Sequence, residues 1–103
     1  MKLEYTPRNM RGIEALIIVK LFKMLEEGGW APVQASDGDD MVPTPTWSAA
    51  LETIDSADCS ALQVSRDGCY AWVELILGNG VDVISDYSCR YQDFDELMER
   101  HAD

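Results

Sequence analysis

The sequence predicts a single α+β domain: an antiparallel three-stranded meander, a short strand available as a fourth at its edge, and three helices packed mainly on one face. Three observations carry this reading. Residues 10–27 repeat apolar side chains at helical spacing, and residues 59–87 form three β-type runs divided by glycine turns. Two further periodic segments, near 45–55 and 93–101, open with helix-start residues. At 103 residues the chain has apolar side chains enough for one core, so residues 1–103 are read as one domain.

Asn9 reads as the N-cap of a first helix that runs to about Glu27 and is stopped by Gly28-Gly29. Met10, Ile13, Ile17, Leu21, Met24 and Leu25 share one face and predict its core contact. Ala15, Val19 and Phe22 lie nearly opposite, a second stripe that either enters the core or makes a homodimer. WAPVQA (30–35) contains Pro32, which has no N–H to give a ladder, so it reads at most as an edge strand. SDGDDMVPTPT (36–46) is an acidic loop by composition. Thr44 then caps a second helix with Pro45 at its first position, and Trp47, Ala50, Leu51 and Ile54 turn one stripe inward.

CSALQVS (59–65), CYAWVELIL (69–77) and VDVISDY (81–87) are the strands of the meander. A two-residue Asp67-Gly68 turn pairs Arg66 with Cys69, Val64 with Ala71 and Leu62 with Val73, so apolar meets apolar. A three-residue Gly78-Asn79-Gly80 loop does the same for Leu77 with Val81 and Leu75 with Val83. The core face is then Leu62, Val64, Ala71, Val73, Leu75, Leu77, Val81 and Val83. The outer face carries Tyr70, Trp72, Glu74, Ile76, Asp82, Ile84 and Asp86. Asp93 with Glu96 makes a capping-box start to the last helix, whose apolar residues are Phe94, Leu97 and Met98.

Net charge is −11, unevenly spread. Residues 1–23 hold five Lys/Arg against two Glu, and the rest holds three Arg against seventeen acids. Such a chain repels phosphate backbones, which argues against direct nucleic-acid binding; the acidic surface either attracts a basic protein partner or simply keeps the chain soluble, the second being the more ordinary reading. Cys59, Cys69 and Cys89 show no C-x-x-C spacing, so a reduced, cytoplasmic setting is expected, without a disulfide framework or zinc. IEALIIVKLFKML (13–25) is interrupted by Glu14, Lys20 and Lys23 and is shorter than the ~20 residues of a membrane span.

The catalytic constellations fail one by one. The glycine loop lacks the third glycine and the following helix of a dinucleotide fingerprint, position 83 being Val. Asp82 and Asp86, four apart on one strand, stand roughly 13 Å apart at ~3.3 Å per residue, too far to share a proton or a metal. SDGDD (36–40) lacks the spacing of a calcium loop, and the one histidine, His101, is placed in a last helical turn. No cofactor is indicated.

AALETID (49–55) leading into ALQVSRDGCYAWVELILGNGVDVISDYS (61–88) and a short C-terminal helix resembles a loose type of short acidic proteins from phages, plasmids and bacterial genomes, over roughly residues 47–100. The resemblance implies a bacterial or mobile-element origin; it carries no functional residue. The expected function is non-enzymatic protein binding through the outer sheet face, with Tyr70, Trp72, Glu74, Asp82, Ile84 and Asp86 as contact residues. The alternatives are a nucleic-acid mimic that blocks a DNA- or RNA-handling protein, and a small-molecule binder or enzyme using Cys69, Asp82 or Asp86.

Overall fold

A computed structural model describes residues 3–88 and 91–102, with the last two as helical backbone alone. Cys89 and the side chain of His101, both invoked above, lie outside the described residues. The elements are α1 (Gly12–Glu27), β1 (Ala31–Ser36), β2 (Met41–Pro43), α2 (Trp47–Asp55), β3 (Cys59–Arg66), β4 (Cys69–Ile76), β5 (Ile84–Tyr87) and α3 (Gln92–Ala102). The fold is α+β, but the antiparallel sheet has five strands in the order β2-β1-β3-β4-β5, not three or four. The buried apolar residues of all three helices join one cluster with Leu62, Val64, Ala71, Val73 and Leu75.

The Asp67-Gly68 hairpin has the expected register, with Arg66 opposite Cys69 and Leu62 opposite Val73. Both turn residues take positive φ, as a tight two-residue turn between twisted strands requires. Three expectations about the sheet fail, each for an identifiable reason. First, β2 lies inside the segment read as loop. Asp37 closes a tight turn by accepting from the N–H groups of Asp39 (2.9 Å) and Asp40 (2.8 Å), and these hydrogen bonds, Asp40's first, lower its pKa.

Second, β1 is an interior strand despite Pro32. Because β2 pairs only with Gln34, Ala35 and Ser36, Pro32 has β3 on one side and no ladder partner on the other. The proline rule is obeyed locally, and the register shift between Pro32 and Gln34 adjusts the strand past it.

Third, the Gly-Asn-Gly loop is longer than three residues. The Leu77 N–H leaves the ladder for the Asp58 carbonyl (2.8 Å), and Gly80–Asp82 form a 3-10 turn before β5 begins. Leu75 therefore faces Ile84 rather than Val83, Leu77 is only partly buried, and Val81 is 72% exposed instead of in the core.

The helices also differ from the sequence reading in detail. Helix α1 buries Glu14, Ile18, Leu21, Phe22 and Leu25 and leaves Ile13 and Leu16 exposed. Asn9 does not cap it: Arg11 holds that position, and its N–H donates to Glu14 Oε1 (2.9 Å). Phe22 is fully buried with its ring centroid 4.8 Å from that of Trp47, so this member of the Ala15–Val19–Phe22 stripe enters the core, while Ala15 and Val19 are partly buried. Thr46, not Thr44, caps α2, accepting from the Ala49 N–H (3.1 Å), while Trp47, Ala50, Leu51 and Ile54 turn inward as expected. Helix α3 opens at Gln92. Asp93 lies in its first turn, bonded to Arg66 and to the Phe94 N–H.

Arg66 closes the hairpin end of the core. Its guanidinium lies 4.6 Å from the centroid of Trp30, donates to the Gly28 carbonyl (3.1 Å) and pairs with Asp93. Trp30 in turn meets Phe94 edge-on at 5.1 Å. Arg66→Ala is expected to cost about 1–2 kcal/mol by losing the cation–π contact and the hydrogen bond, with little from the half-exposed ion pair. Urea denaturation measures it, and a loss under 0.5 kcal/mol would show that Trp30 packs as well without its cation.

Candidate functional site

The helices pack into one cluster on one side of the sheet, and among the described residues nothing covers the other side. Its residues follow from strand alternation. Met41 and Pro43 come from β2, Gln34 and Ser36 from β1, Ala61 and Gln63 from β3, and Tyr70, Trp72, Glu74 and Ile76 from β4. β5 adds Asp86, directly opposite Glu74. Tyr70 is 51% and Met41 39% exposed; Trp72 is half-buried; Glu74 and Asp86 are both exposed. Gln34 Nε2 donates to Gln63 Oε1 (2.9 Å), which fixes an amide pair beside the indole. No lysine or arginine is among these residues.

Of the six residues expected to share this face, the structure assembles four: Tyr70, Trp72, Glu74 and Asp86. Ile84 is corrected to the core side. The register shifts between Glu74 and Leu75, so β5 advances two residues, Ile84 to Asp86, for one on β4. Ile84 thus packs with Leu75 against the core, and Asp86 comes out beside Glu74. Asp82 is also removed from the face, because it sits in the 3-10 turn rather than on a strand. Gln34, Gln63 and Met41 were missed. Gln63 was within reach of the alternation of β3, where it stands opposite Trp72, whereas the only signal for Gln34 and Met41 was the alternation of a short strand interrupted by proline and of another hidden in an acidic turn.

The indole is positioned by its backbone: the Trp72 N–H donates to Ser88 Oγ (2.9 Å), and the Ser88 N–H donates to the Trp72 carbonyl (2.9 Å). A recess of about 160 Å³ is lined by Trp72, Glu74, Asp86, Tyr87 and Ser88. A shallow groove of about 420 Å³ on the other side of Glu74 includes Ser36, Cys59, Ala61, Ile76 and Ser85 in its lining. Two carboxylates facing one another across adjacent strands repel, a local arrangement that costs stability. Glu74→Gln is expected to raise stability by about 0.5 kcal/mol, or a few degrees in Tm. Calorimetry showing no rise, or a fall, would mean that the pair is not a local liability.

The glycine loop does cradle an anion, but one that belongs to the chain. Gly78 and Gly80 both take positive φ, 91° and 63°, and their N–H groups converge on Glu14 Oε2 at 2.7 and 3.0 Å. Glu14 is fully buried. Burial pushes its carboxyl upward, and the N–H groups of Arg11, Gly80 and Gly78 outweigh this to leave the pKa lowered. Asp55, 1% exposed, is a second buried carboxylate. It accepts from Tyr5 Oη (2.6 Å) and from the N–H groups of Arg8 (2.8 Å), Asn9 (3.0 Å) and Met10 (2.9 Å). Both acids are spent on the chain's own donors.

Cys69 packs against the core at the start of β4, and Cys59 is exposed at the start of β3. Cys69, Asp82 and Asp86 therefore sit on three different elements. Among the described residues no group of three or more His, Cys, Asp or Glu side chains is placed to hold a metal ion, and no helix is long and apolar enough to cross a membrane. No family model, curated protein or solved structure matches the chain.

Proposed function

We propose that the protein is a non-catalytic binding module whose open sheet face receives a basic protein surface. The observation that carries this is the exposed Glu74–Asp86 pair beside Trp72 and Tyr70, on a face that holds no cation among the described residues. An indole flanked by two carboxylates suits an arginine or lysine side chain, through cation–π contact together with charge-assisted hydrogen bonds. Aromatic anchors ringed by polar groups are also where interface energy concentrates. The like-charge pair supports the reading from another side, since an opposing cation would relieve its cost.

The test is affinity capture from a bacterial lysate, with wild type, Trp72→Ala and Glu74→Lys compared as baits. A protein held by wild type at moderate salt is expected to be lost, at least tenfold, from both variants. Full retention by both variants would place binding elsewhere on the molecule. Elution of nucleic-acid-handling proteins alone, with a steep salt dependence, would favour phosphate mimicry over a protein-specific surface.

A further inference from the structure

The glycine loop carries a second chemistry besides its hold on Glu14. Of the chain's two asparagines, Asn9 precedes Met10 and Asn79 precedes Gly80. Asparagine is chemically labile where the next main-chain nitrogen can reach its side-chain carbonyl carbon, and glycine leaves that approach unobstructed by a Cβ. Asn79 is exposed, and a Cβ at Gly80 would have nothing within 4 Å, so water has access to the pair.

The folded loop nevertheless holds this dipeptide in a geometry that blocks the reaction. Ring closure brings the Gly80 nitrogen and the main-chain carbonyl carbon, Cα, Cβ and Cγ of Asn79 into one plane. For a tetrahedral L-residue that requires ψ at about −120°. Asn79 stands at φ −91° and ψ 0°. Its Nδ2 donates to the Asp82 carbonyl (3.2 Å), and its own carbonyl accepts from the Asp82 N–H (3.2 Å). The Gly80 N–H, which must give up its proton to react, donates to Glu14 Oε2 (3.0 Å). A carboxylate at that distance also opposes formation of the amide anion.

We propose that Asn79-Gly80 is a covalent modification site, a deamidation switch that Glu14 keeps closed. When the loop leaves Glu14, Asn79 turns about ψ, the Gly80 N–H loses its proton to solvent, and the nitrogen attacks Asn79 Cγ. The N–Cγ bond forms, the Cγ–Nδ2 bond breaks, and ammonia leaves with a proton taken from solvent. The product is a five-membered imide. Water then adds at Cγ to give aspartate on the ordinary main chain, or at the main-chain carbonyl to give isoaspartate. No oxidant or reductant enters.

Either product opposes reclosure. Isoaspartate routes the chain through Cβ and Cγ, and the extra main-chain carbon separates the Gly78 and Gly80 N–H groups that now converge on one oxygen of Glu14. Aspartate removes the Nδ2 donor and adds a negative charge to a loop that already holds Asp82 beside the Glu14 carboxylate. Because residues 80–82 lead directly into β5, the modification makes release of that edge from α1 permanent.

Peptide mapping by mass spectrometry tests this on the full chain, incubated in mildly alkaline buffer with and without guanidinium chloride. Conversion of the Asn79 NH₂ to OH changes the peptide mass, whereas ring formation and opening at Asp37-Gly38 or Asp67-Gly68 restores it. Folded wild type is expected to deamidate at least tenfold more slowly than the unfolded chain; equal rates overturn the proposal. Glu14→Ala, shown to be folded by circular dichroism, should come within threefold of the unfolded rate. Arg66→Ala, which weakens the fold at the opposite end of β4 from the loop, should keep the wild-type rate. A Glu14→Ala rate no higher than wild type, or an equal rise in Arg66→Ala, overturns the role of Glu14. Wild type alone gives a further check that does not depend on any variant folding. In subdenaturing guanidinium chloride its deamidation should rise in step with amide exchange at Gly80. If it rises only with exchange in the centre of β3, global unfolding exposes Asn79 and Glu14 is no latch.

Discussion

Asp55→Ala is expected to lower stability by about 4 kcal/mol, the larger part of what a domain of this size has to lose. The carboxylate sits at the last residue of α2 and collects four donors from residues 5–10, while Asn9 Nδ2 donates to its main-chain carbonyl (2.9 Å). This one side chain thus fastens the segment leading into α1 against the end of α2. Alanine would leave the N–H of buried Met10, the half-buried Tyr5 hydroxyl and the N–H groups of exposed Arg8 and Asn9 without their acceptor; a hydrogen bond to a charged group contributes about 1.5–3 kcal/mol net, and water can replace the acceptor only for the exposed donors. Asparagine preserves the shape but turns an NH₂ toward N–H donors, so Asp55→Asn should cost nearly as much. Thermal unfolding followed by circular dichroism would show a fall in Tm of about 20 °C. A drop under 5 °C for both variants would show that the segment is held by its apolar contacts instead.

The same site sets the response to acid. Burial pushes the Asp55 carboxyl upward, but the N–H of Arg8, the Tyr5 hydroxyl and the N–H groups of Met10 and Asn9 outweigh it and hold the pKa below that of an ordinary aspartate. The unfolded chain consequently takes up this proton first as pH falls. The stabilisation is complete above the unfolded value of about 4 and drains away as pH drops through the lower, folded one. Glu14, lowered for the same kind of reason, adds to the slope in the same direction. Asp55→Asn should flatten the decline in stability below pH 4 relative to wild type.

Local chemistry was legible in the sequence wherever a single interaction decides structure. The Asp67-Gly68 turn, the inward stripe of α2 and the apolar register of β3 on β4 follow from turn geometry and alternation alone. The parts that failed depend on residues distant in the chain. Nothing near position 80 reveals that Glu14, more than sixty residues earlier, would draw the Gly78 and Gly80 N–H groups onto its carboxylate and lengthen the loop. That displacement moved β5 by the amount needed to turn Ile84 inward, and it took Asp82 off the strand. Glu14 and Asp55 were invisible as buried acids, because a carboxylate on a helix reads as solvated until its donors are known. Tyr70, Trp72 and Glu74 were legible on the outer sheet face because alternation within β4 survives any change in its neighbours. The contributions of β1 and β2 depended on a proline tolerated only because β2 stops short of it.

Glu14→Ala provides the sharpest test of the glycine loop. Removing the carboxylate leaves three donors, the N–H groups of Arg11, Gly78 and Gly80, facing a vacated buried site, and a loss of about 3 kcal/mol is expected. Because the carboxylate is what bends residues 78–82 onto α1, its loss should loosen β5 as well. Amide exchange of Val83 and Ile84 is thus expected to accelerate together with that of Gly78 and Gly80, while β3 and the Asp67-Gly68 turn stay protected. A small carboxylate supplied in solution distinguishes an anion cradle from simple packing. Formate or acetate can occupy the space and satisfy the same N–H groups, so either should raise the Tm of Glu14→Ala by more than it raises that of wild type. Sodium chloride at equal ionic strength controls for general salt effects. If formate acts equally on both proteins and exchange rises uniformly across the sheet, Glu14 stabilises through its bulk, and the geometry of the two glycines is incidental to it.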